Sequence, residues 1–393
     1  MKTHTVRRFG EVVEINPRRW NSVAPTTPVS FVPMAAVSET SGTITEKATR
    51  AFEEVAKGYT LFADNDVLFA KITPCMENGK AAIVRDLEGG LGAGSTEFYV
   101  LRPGEEILPE FVFHFVRRAS FRALCKANFT GTAGQQRVPR QFLENVPLFV
   151  PPLDEQRRIV GLLDRAAEIR RRADAARAKA RAIIPALFLD MFGDPATNPN
   201  GWPVLSVGDL LEAASYGTSQ KANENGEGIP VIRMGNVLMD GQLNTADLKH
   251  IVLSPEEQER VSLRHGDILF NRTNSKDLVG KTGLWDGRFD AVLASYFIRL
   301  RVDEKLTCPT FLWAFMNSSF MKQVLFNTAR GAIGQANINT KELKAFRVYV
   351  PPLPLQRTFA EQVIRIESIA RALDAAAAKA EAMAAALSAE VFG

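Results

Sequence analysis

Two short segments carry side chains that can read a base pair. Gly131-Thr132-Ala133-Gly134-Gln135-Gln136-Arg137 and Gly331-Ala332-Ile333-Gly334-Gln335-Ala336-Asn337 share the pattern Gly-x-x-Gly-Gln. Glutamine and asparagine amides pair in bidentate fashion with an adenine edge, and arginine does so with guanine. Arg140 and Asn339, just beyond, join these two candidate sets. A second pair of polar segments follows the apolar runs at 66–69 and 267–270. The first carries Lys71, Thr73, Asn78 and Lys80; the second carries Asn271, Arg272, Thr273, Asn274, Lys276 and Lys281. Cations and hydroxyls that position phosphates, beside amides that read bases, are the mixture a nucleic-acid surface requires. The competing explanation for each segment is a solvated loop kept only for its turns.

Other chemistry finds less support. Gly280-Lys281-Thr282 looks like the end of a phosphate loop, but Ser275 stands where that loop needs its first glycine. Val150-Pro151-Pro152-Leu153 suggests the Pro-Pro motif of adenine methyltransferases without its leading Asp or Asn and its following aromatic residue, which hold a flipped base. A rigid elbow between strand and helix explains it better. Asp64 and Asp66 come with no Glu-x-Lys or other metal-nuclease arrangement. His4, His114, His250 and His265 lack a second ligand at metal-binding spacing, and Cys75, Cys125 and Cys308 form no Cys-x-x-Cys pair. No metal, cofactor or catalytic constellation is expected in this chain.

The elements that must position these residues occur twice. Residues 131–193 recur without a gap as 331–393: Val150-Pro151-Pro152-Leu153 with Gln156-Arg157 returns as Val350-Pro351-Pro352-Leu353 with Gln356-Arg357, and Phe192-Gly193 as Phe392-Gly393. Each copy reads as a mixed α/β segment and then a long helix, giving recognition domains at 1–150 and 202–350, helices at 151–193 and 351–393, and a turn-rich linker at 194–201. Strands are expected at 29–37, 66–72, 80–84 and 97–101, and again at 231–237, 267–272 and 296–300. Pro109 and Pro309 open helices, with Ser120 able to cap the next one.

Both long helices carry an apolar seam at alternating steps of four and three. It comprises Leu162, Ala166, Ile169, Ala173, Ala176, Ala180, Ile183 and Leu187 in the first, and Ile366, Ile369, Leu373, Ala376, Ala380, Met383 and Leu387 in the second. The fold class is therefore α/β, mixed α+β recognition domains with two long helices in an antiparallel coiled coil, related by a pseudo-two-fold duplication that sets the domains at opposite ends. Pro185 is expected to kink the first helix. Arg170-Arg171-Arg172, Arg177, Lys179 and Arg181 read as the solvated exterior of the pair.

The chain has 393 residues, 46% hydrophobic and 23% charged, ordinary for a soluble globular protein. Its formal charge of +4 permits nucleic acid as a partner without demanding it. With no signal-peptide h-region and no run of about 18 apolar residues, a cytoplasmic location without membrane contact is expected.

Together the duplicated domain-then-helix plan, the paired Gly-x-x-Gly-Gln loops and the paired Val-Pro-Pro-Leu-x-x-Gln-Arg helix starts resemble the specificity subunit of type I restriction-modification systems, over nearly the whole chain. The resemblance implies a non-catalytic subunit that binds double-stranded DNA. Each domain would read one half of a split, asymmetric target, and the helices would fix the spacer. Two methyltransferase subunits would dock on the helices, and restriction (translocase) subunits would join them. S-adenosylmethionine, ATP and Mg2+ would belong to those partners. Two rivals stand beside it: a coiled-coil scaffold whose terminal domains bind proteins, and a fused DNA-modifying enzyme without recognisable motifs.

Overall fold

The structure is a computed structural model that describes residues 5–17, 23–132, 134–332 and 335–392. Of the residues singled out above, His4, Ala133, Ile333, Gly334 and Gly393 lie outside these.

Each recognition domain is built on an antiparallel four-stranded sheet. In the first the spatial order is Val13–Ile15, Phe98–Pro103, Val67–Ala70, Ala81–Ile83; in the second it is Leu211–Tyr216, Phe297–Val302, Ile268–Asn271, Thr282–Leu284. Val67–Ala70 and Ile268–Asn271 are buried at every position, as expected for an unbroken apolar run covered on both faces. One carboxylate immediately precedes each of these strands. Asp66 accepts from Arg102 Nε and Nη2, both at 2.8 Å, and Asp267 accepts from Arg301 Nε and Nη2, both at 2.9 Å. Ala63 N and Arg264 N donate to the same carboxylates. A second sheet is four-stranded in the first domain and three-stranded in the second. The strand expected at 29–37 is shorter, Pro28–Val32, because a 3-10 turn follows at Met34–Ala36; Ile229–Ile232 and Met234–Asn236 repeat this.

Helices Pro109–Arg117 and Pro309–Asn317 begin at the prolines. Ser120 does not cap the following helix: it lies inside Ala119–Ala127, whose N-cap position belongs to Arg118 with no side-chain bond. At the matching place in the second domain Ser318 does cap, accepting from Met321 N at 3.2 Å.

The repeated Pro-Pro elbow has a buried glutamine at its centre. Gln156 accepts from Leu108 N at 2.9 Å and donates to Glu106 O and Pro151 O, both at 2.8 Å. Gln356 accepts from Cys308 N at 2.8 Å and donates to Pro351 O at 2.8 Å. Both are fully buried, so each amide satisfies backbone groups that would otherwise be orphaned. The first turn of each long helix is thereby tied to the start of the helix opened by Pro109 or Pro309.

The long helices run Leu153–Phe192 and Leu353–Phe392. The first continues through Pro185. The compact units cut across the sequence repeats: one comprises Met1–Arg172 with Ala375–Gly393, the other Ala173–Asp374. Within each unit the first half of one helix packs antiparallel against the last half of the other. In the first, Arg170 Nη1 meets Glu381 Oε1 at 2.5 Å, and Phe392 packs on Phe111 and Phe115 with ring centroids at 4.9 and 5.7 Å. In the second, Arg177 Nη1 meets Asp374 Oδ1 at 2.8 Å, and Phe188 and Phe192 pack on Phe311 and Phe359.

The seam differs in register from the expected one. Ala166, Ala173 and Ala180 are buried, and Ile366, Leu373, Ala380 and Leu387 at least half-buried. Ile169, Ala176, Ile183, Ile369, Ala376 and Met383 instead face outward or sit at the edge, with Ile169 45% and Met383 64% exposed. Leu162 and Leu187 are half-buried flanks. The alternate seam positions are Leu163, Arg170, Arg177 and Ile184, answered by Val363, Ala370, Ala377 and Ala384. Two arginines thus occupy seam sites, their stems covering apolar surface while the heads reach acids on the other helix. Arg171 and Arg172 do lie on the solvated exterior, paired with Glu168, whose carboxyl their hydrogen bonds hold down at about 2.

This register predicts that Leu163→Ala destabilises the chain by about 2 to 5 kcal/mol. Ile169→Ala should change stability by no more than about 0.5 kcal/mol. Urea denaturation of the full chain checks both, and the opposite order would restore the register expected from apolar spacing.

Candidate nucleic-acid interface

The fold brings the two polar segments of each domain onto one surface. In the first domain Thr130 and Arg137 pair in both directions as the base of a hairpin, with Thr130 N to Arg137 O at 3.0 Å and the return bond at 2.9 Å. Gly131 sits at φ 111°, where a side chain would be strained and its Cβ would lie 3.1 Å from Gln135 O. The hairpin joins the other segment through Thr73 N to Gln136 O at 3.0 Å and Val138 N to Lys71 O at 2.9 Å. In the second domain the junction is a small antiparallel sheet in which Gln335–Asn337 lies between Thr273–Asn274 and Arg330–Ala332.

Within this surface the candidates divide. Gln135 is exposed, and Gln136 half-buried beside it. Gln335 holds the matching strand position. Asn337 is exposed and accepts from Thr273 Oγ1 at 3.2 Å. Lys276 is exposed, with its ammonium 4.5 Å from the Phe326 ring centroid, and Lys281 is half-buried. Arg272 lies over the ring of Tyr216 at 4.8 Å.

The remaining candidates are occupied. Arg137 spends its fork on Glu97, Nε at 2.9 Å and Nη2 at 2.8 Å, and this pair holds the Glu97 carboxyl below its usual range. A bidentate contact from Arg137 to guanine would first have to break it. Lys71 is half-buried over the Tyr99 ring, and burial lowers its pKa. Lys80 donates to Met34 O at 3.2 Å, and Asn78 donates to Glu39 at 3.2 Å. Thr73 donates to Glu77. Arg140 pairs with Glu144 at 2.7 Å one turn on. Asn271 is fully buried, with its amide on Thr273 O and Tyr296 O, so it supports the loop and is removed from a contact surface. Asn339 is a helix cap, accepting from Glu342 N at 2.9 Å.

Sequence reasoning missed five residues here: Glu97, Arg122, Tyr216, Tyr296 and Lys322. Glu97 and Tyr296 each directly precede a matched central strand, so the exchange of Glu97 with Arg137 for Tyr296 with Asn337 was available as a paired change. Lys322 reaches inward from helix Ser319–Thr328 and donates to Gly280 O at 2.7 Å. Arg122 does the same from the first domain, to Glu77 O at 2.6 Å. A cation thus staples the polar loop from behind in both copies. Thr282, also buried, donates to the same Gly280 carbonyl, which leaves its hydroxyl unsuited to a phosphate-bound cation. Among the described residues no group of His, Cys, Asp and Glu is arranged to hold a metal ion.

Comparison with known proteins decides the family. The family described as type I restriction modification DNA specificity domain matches residues 1–171 and again 199–374. The chain belongs to this family. The type I restriction enzyme EcoEI specificity subunit of Escherichia coli is 44% identical over 134 residues, 34% of this chain and 23% of that protein. The EcoKI specificity subunit of Escherichia coli strain K12 is 28% identical over 289 residues, 69% of this chain and 60% of that protein. The matches therefore span less than two thirds of these relatives. Two solved structures share the fold: the type I restriction-modification S subunit from M. genitalium, with TM-score 0.62, 12% identity and coverage of 100% of this chain and 96% of that one, and a chain from work on assembly and conformational transition of the type I R-M system, with TM-score 0.58, 21% identity, 100% and 98%. In this specificity-domain chain the matched segments hold the two loop surfaces described above.

Burial holds the Lys322 ammonium down at about 8, against 10.5 for a free lysine. Between these values the unfolded chain binds the proton that the folded chain has lost, so stability rises with pH there and this contribution is flat below about 8. Lys322→Met removes that rise. Thermal melts at pH 7.5 and pH 9.5 should show wild type gaining relative to the variant; a difference independent of pH would contradict it.

Proposed function

We propose that this chain is the sequence-specific DNA-binding subunit of a type I restriction-modification complex, reading a bipartite asymmetric target with its two domains. The observation that carries this is the duplication of one loop surface, Gly-x-x-Gly-Gln segment joined to polar loop, with different side chains at matching places: Glu97 and Arg137 against Tyr296 and Asn337. A single repeated binding function would not need that divergence; two half-sites of different sequence do. The subunit itself is non-catalytic. S-adenosylmethionine, ATP and Mg2+ are used by its partners, two methyltransferase subunits and the restriction subunits, in the cytoplasm. No described helix is long and apolar enough to cross a membrane.

The exposed apolar side chains of the long helices support a docking role. Ile169 and Ile183 on the first, and Ile364, Ile369 and Met383 on the second, are exposed although the seam does not use them. Solvent-facing apolar side chains two heptads apart, Ile169 with Ile183 and Ile369 with Met383, are unfavourable for an isolated helical pair and suit one that receives further helices. This favours the assembly over a free-standing scaffold. In the complex the helices fix the spacer between the half-sites.

Three outcomes are expected. The purified chain shows neither cleavage nor methylation of DNA, and sequence-specific binding appears or tightens with the methyltransferase subunits; turnover by the partner-free chain would defeat the proposal. Binding weakens steeply with salt as counterions are released, whereas a protein-binding scaffold shows no DNA affinity to lose. Inserting one heptad into both helices adds about 10 Å at 1.5 Å per residue and lengthens the preferred spacer by a few base pairs. Methylome sequencing reads that spacer, and an unchanged one would exclude the ruler.

A further inference from the structure

The two domains differ in how they treat the cation at the start of the polar loop. In the first, Lys71 and Arg137 share the carboxylate of Glu97 as their electrostatic partner, and Arg137 is bound to it twice. In the second, the place before the matched strand holds Tyr296, which is 45% exposed and brings no charge. The side chain of Arg272 has no hydrogen-bond or ion-pair partner among the described residues, and its Nε is buried without one. Among the described residues its support is the ring of Tyr216, 4.8 Å away. That ring is in turn fixed by Thr340, whose hydroxyl lies 2.6 Å from the Tyr216 phenol oxygen. The Arg272 backbone is fixed on both sides, by Arg272 N to Tyr296 O and Ile338 N to Arg272 O, each at 2.9 Å.

A planar guanidinium placed over an aromatic ring, with no partner for its fork among the described residues, matches the paired acceptors O6 and N7 of guanine. A phosphate site would gather several cations or backbone N–H groups. Here the residues that touch or adjoin Arg272, namely Tyr216, Tyr296 and Thr273, are neutral, which favours a base edge.

We infer that Arg272 reads a guanine in the half-site of the second domain, with Tyr216 as its positioning residue. This rests on the DNA-recognition function proposed above and adds the base and the residue that selects it. The first domain offers no such free arginine on its matched loop.

The test uses the full chain assembled with its methyltransferase subunits, measuring binding to duplexes in which each G·C pair of the methylated target is replaced in turn. Arg272→Lys keeps the charge and loses the fork. Preference at one G·C pair of one half-site should fall by about 5- to 150-fold, the discrimination of a good bidentate contact, with the other half-site unchanged. Tyr216→Leu should lower preference at that same pair, and Tyr216→Phe, which keeps the ring, by less. Uniform weakening across all duplexes with a shallower salt dependence would make Arg272 a phosphate contact and overturn the inference while leaving DNA recognition intact. Unchanged preference at every pair in Arg272→Lys would also overturn it. A wild-type complex without any sequence preference would instead overturn the parent function, and so is distinguishable.

Discussion

Neither compact unit can close its hydrophobic core with its own repeat alone, and the remaining architecture follows from that constraint. Phe392 fills the space between Phe111 and Phe115, and Phe188 and Phe192 fill the one beside Phe311 and Phe359. Each phenylalanine arrives at the end of a helix that started in the other repeat. Removing a buried phenylalanine costs about 3 to 5 kcal/mol, a large part of the net stability of a domain. The duplication therefore had to preserve Phe-Gly at the end of each helix and the Gln-locked elbow at its beginning, since the elbow sets the direction and the phenylalanine sets the length.

Those features were legible because they recur in sequence and rest on local chemistry. Proline at a first helical turn, glycine after a helix and a Pro-Pro elbow fix backbone conformation wherever they occur, so the long helices begin and end within two residues of the expected places. The seam was misread for a physical reason. Ala166, Ala173 and Ala180 belong to either register, and the choice fell to their neighbours. Leu162, Ile169, Ala176 and Ile183 outscore Leu163, Arg170, Arg177 and Ile184 on hydrophobicity. Arginine stems pack well beside alanine once Glu381 and Asp374 receive the charges, a compensation that depends on residues about 200 positions away.

The candidate surface was legible in outline for the same reason and misjudged in detail. Gly-x-x-Gly-Gln located the hairpin and the polar loop located its neighbour, but composition cannot say which side chains spend their hydrogen bonds inside the protein. Asn271 and Asn339 look like readers and serve as a loop brace and a helix cap. Arg137, the most inviting side chain in the first segment, is matched to Glu97, 40 residues earlier in the chain. Arg272, one of several cations in its segment, is the one that the fold leaves with a free fork.

The exchange of helix ends also imposes an order on synthesis. The second unit, residues 173–374, is continuous in the chain and holds every element of its core once its last turn has emerged from the ribosome. The first unit is made earlier yet lacks residues 375–392 until all of the second has been translated. The domain born first is thus completed last. Until then its apolar bed at Phe111 and Phe115 lacks the Phe392 ring that packs on it.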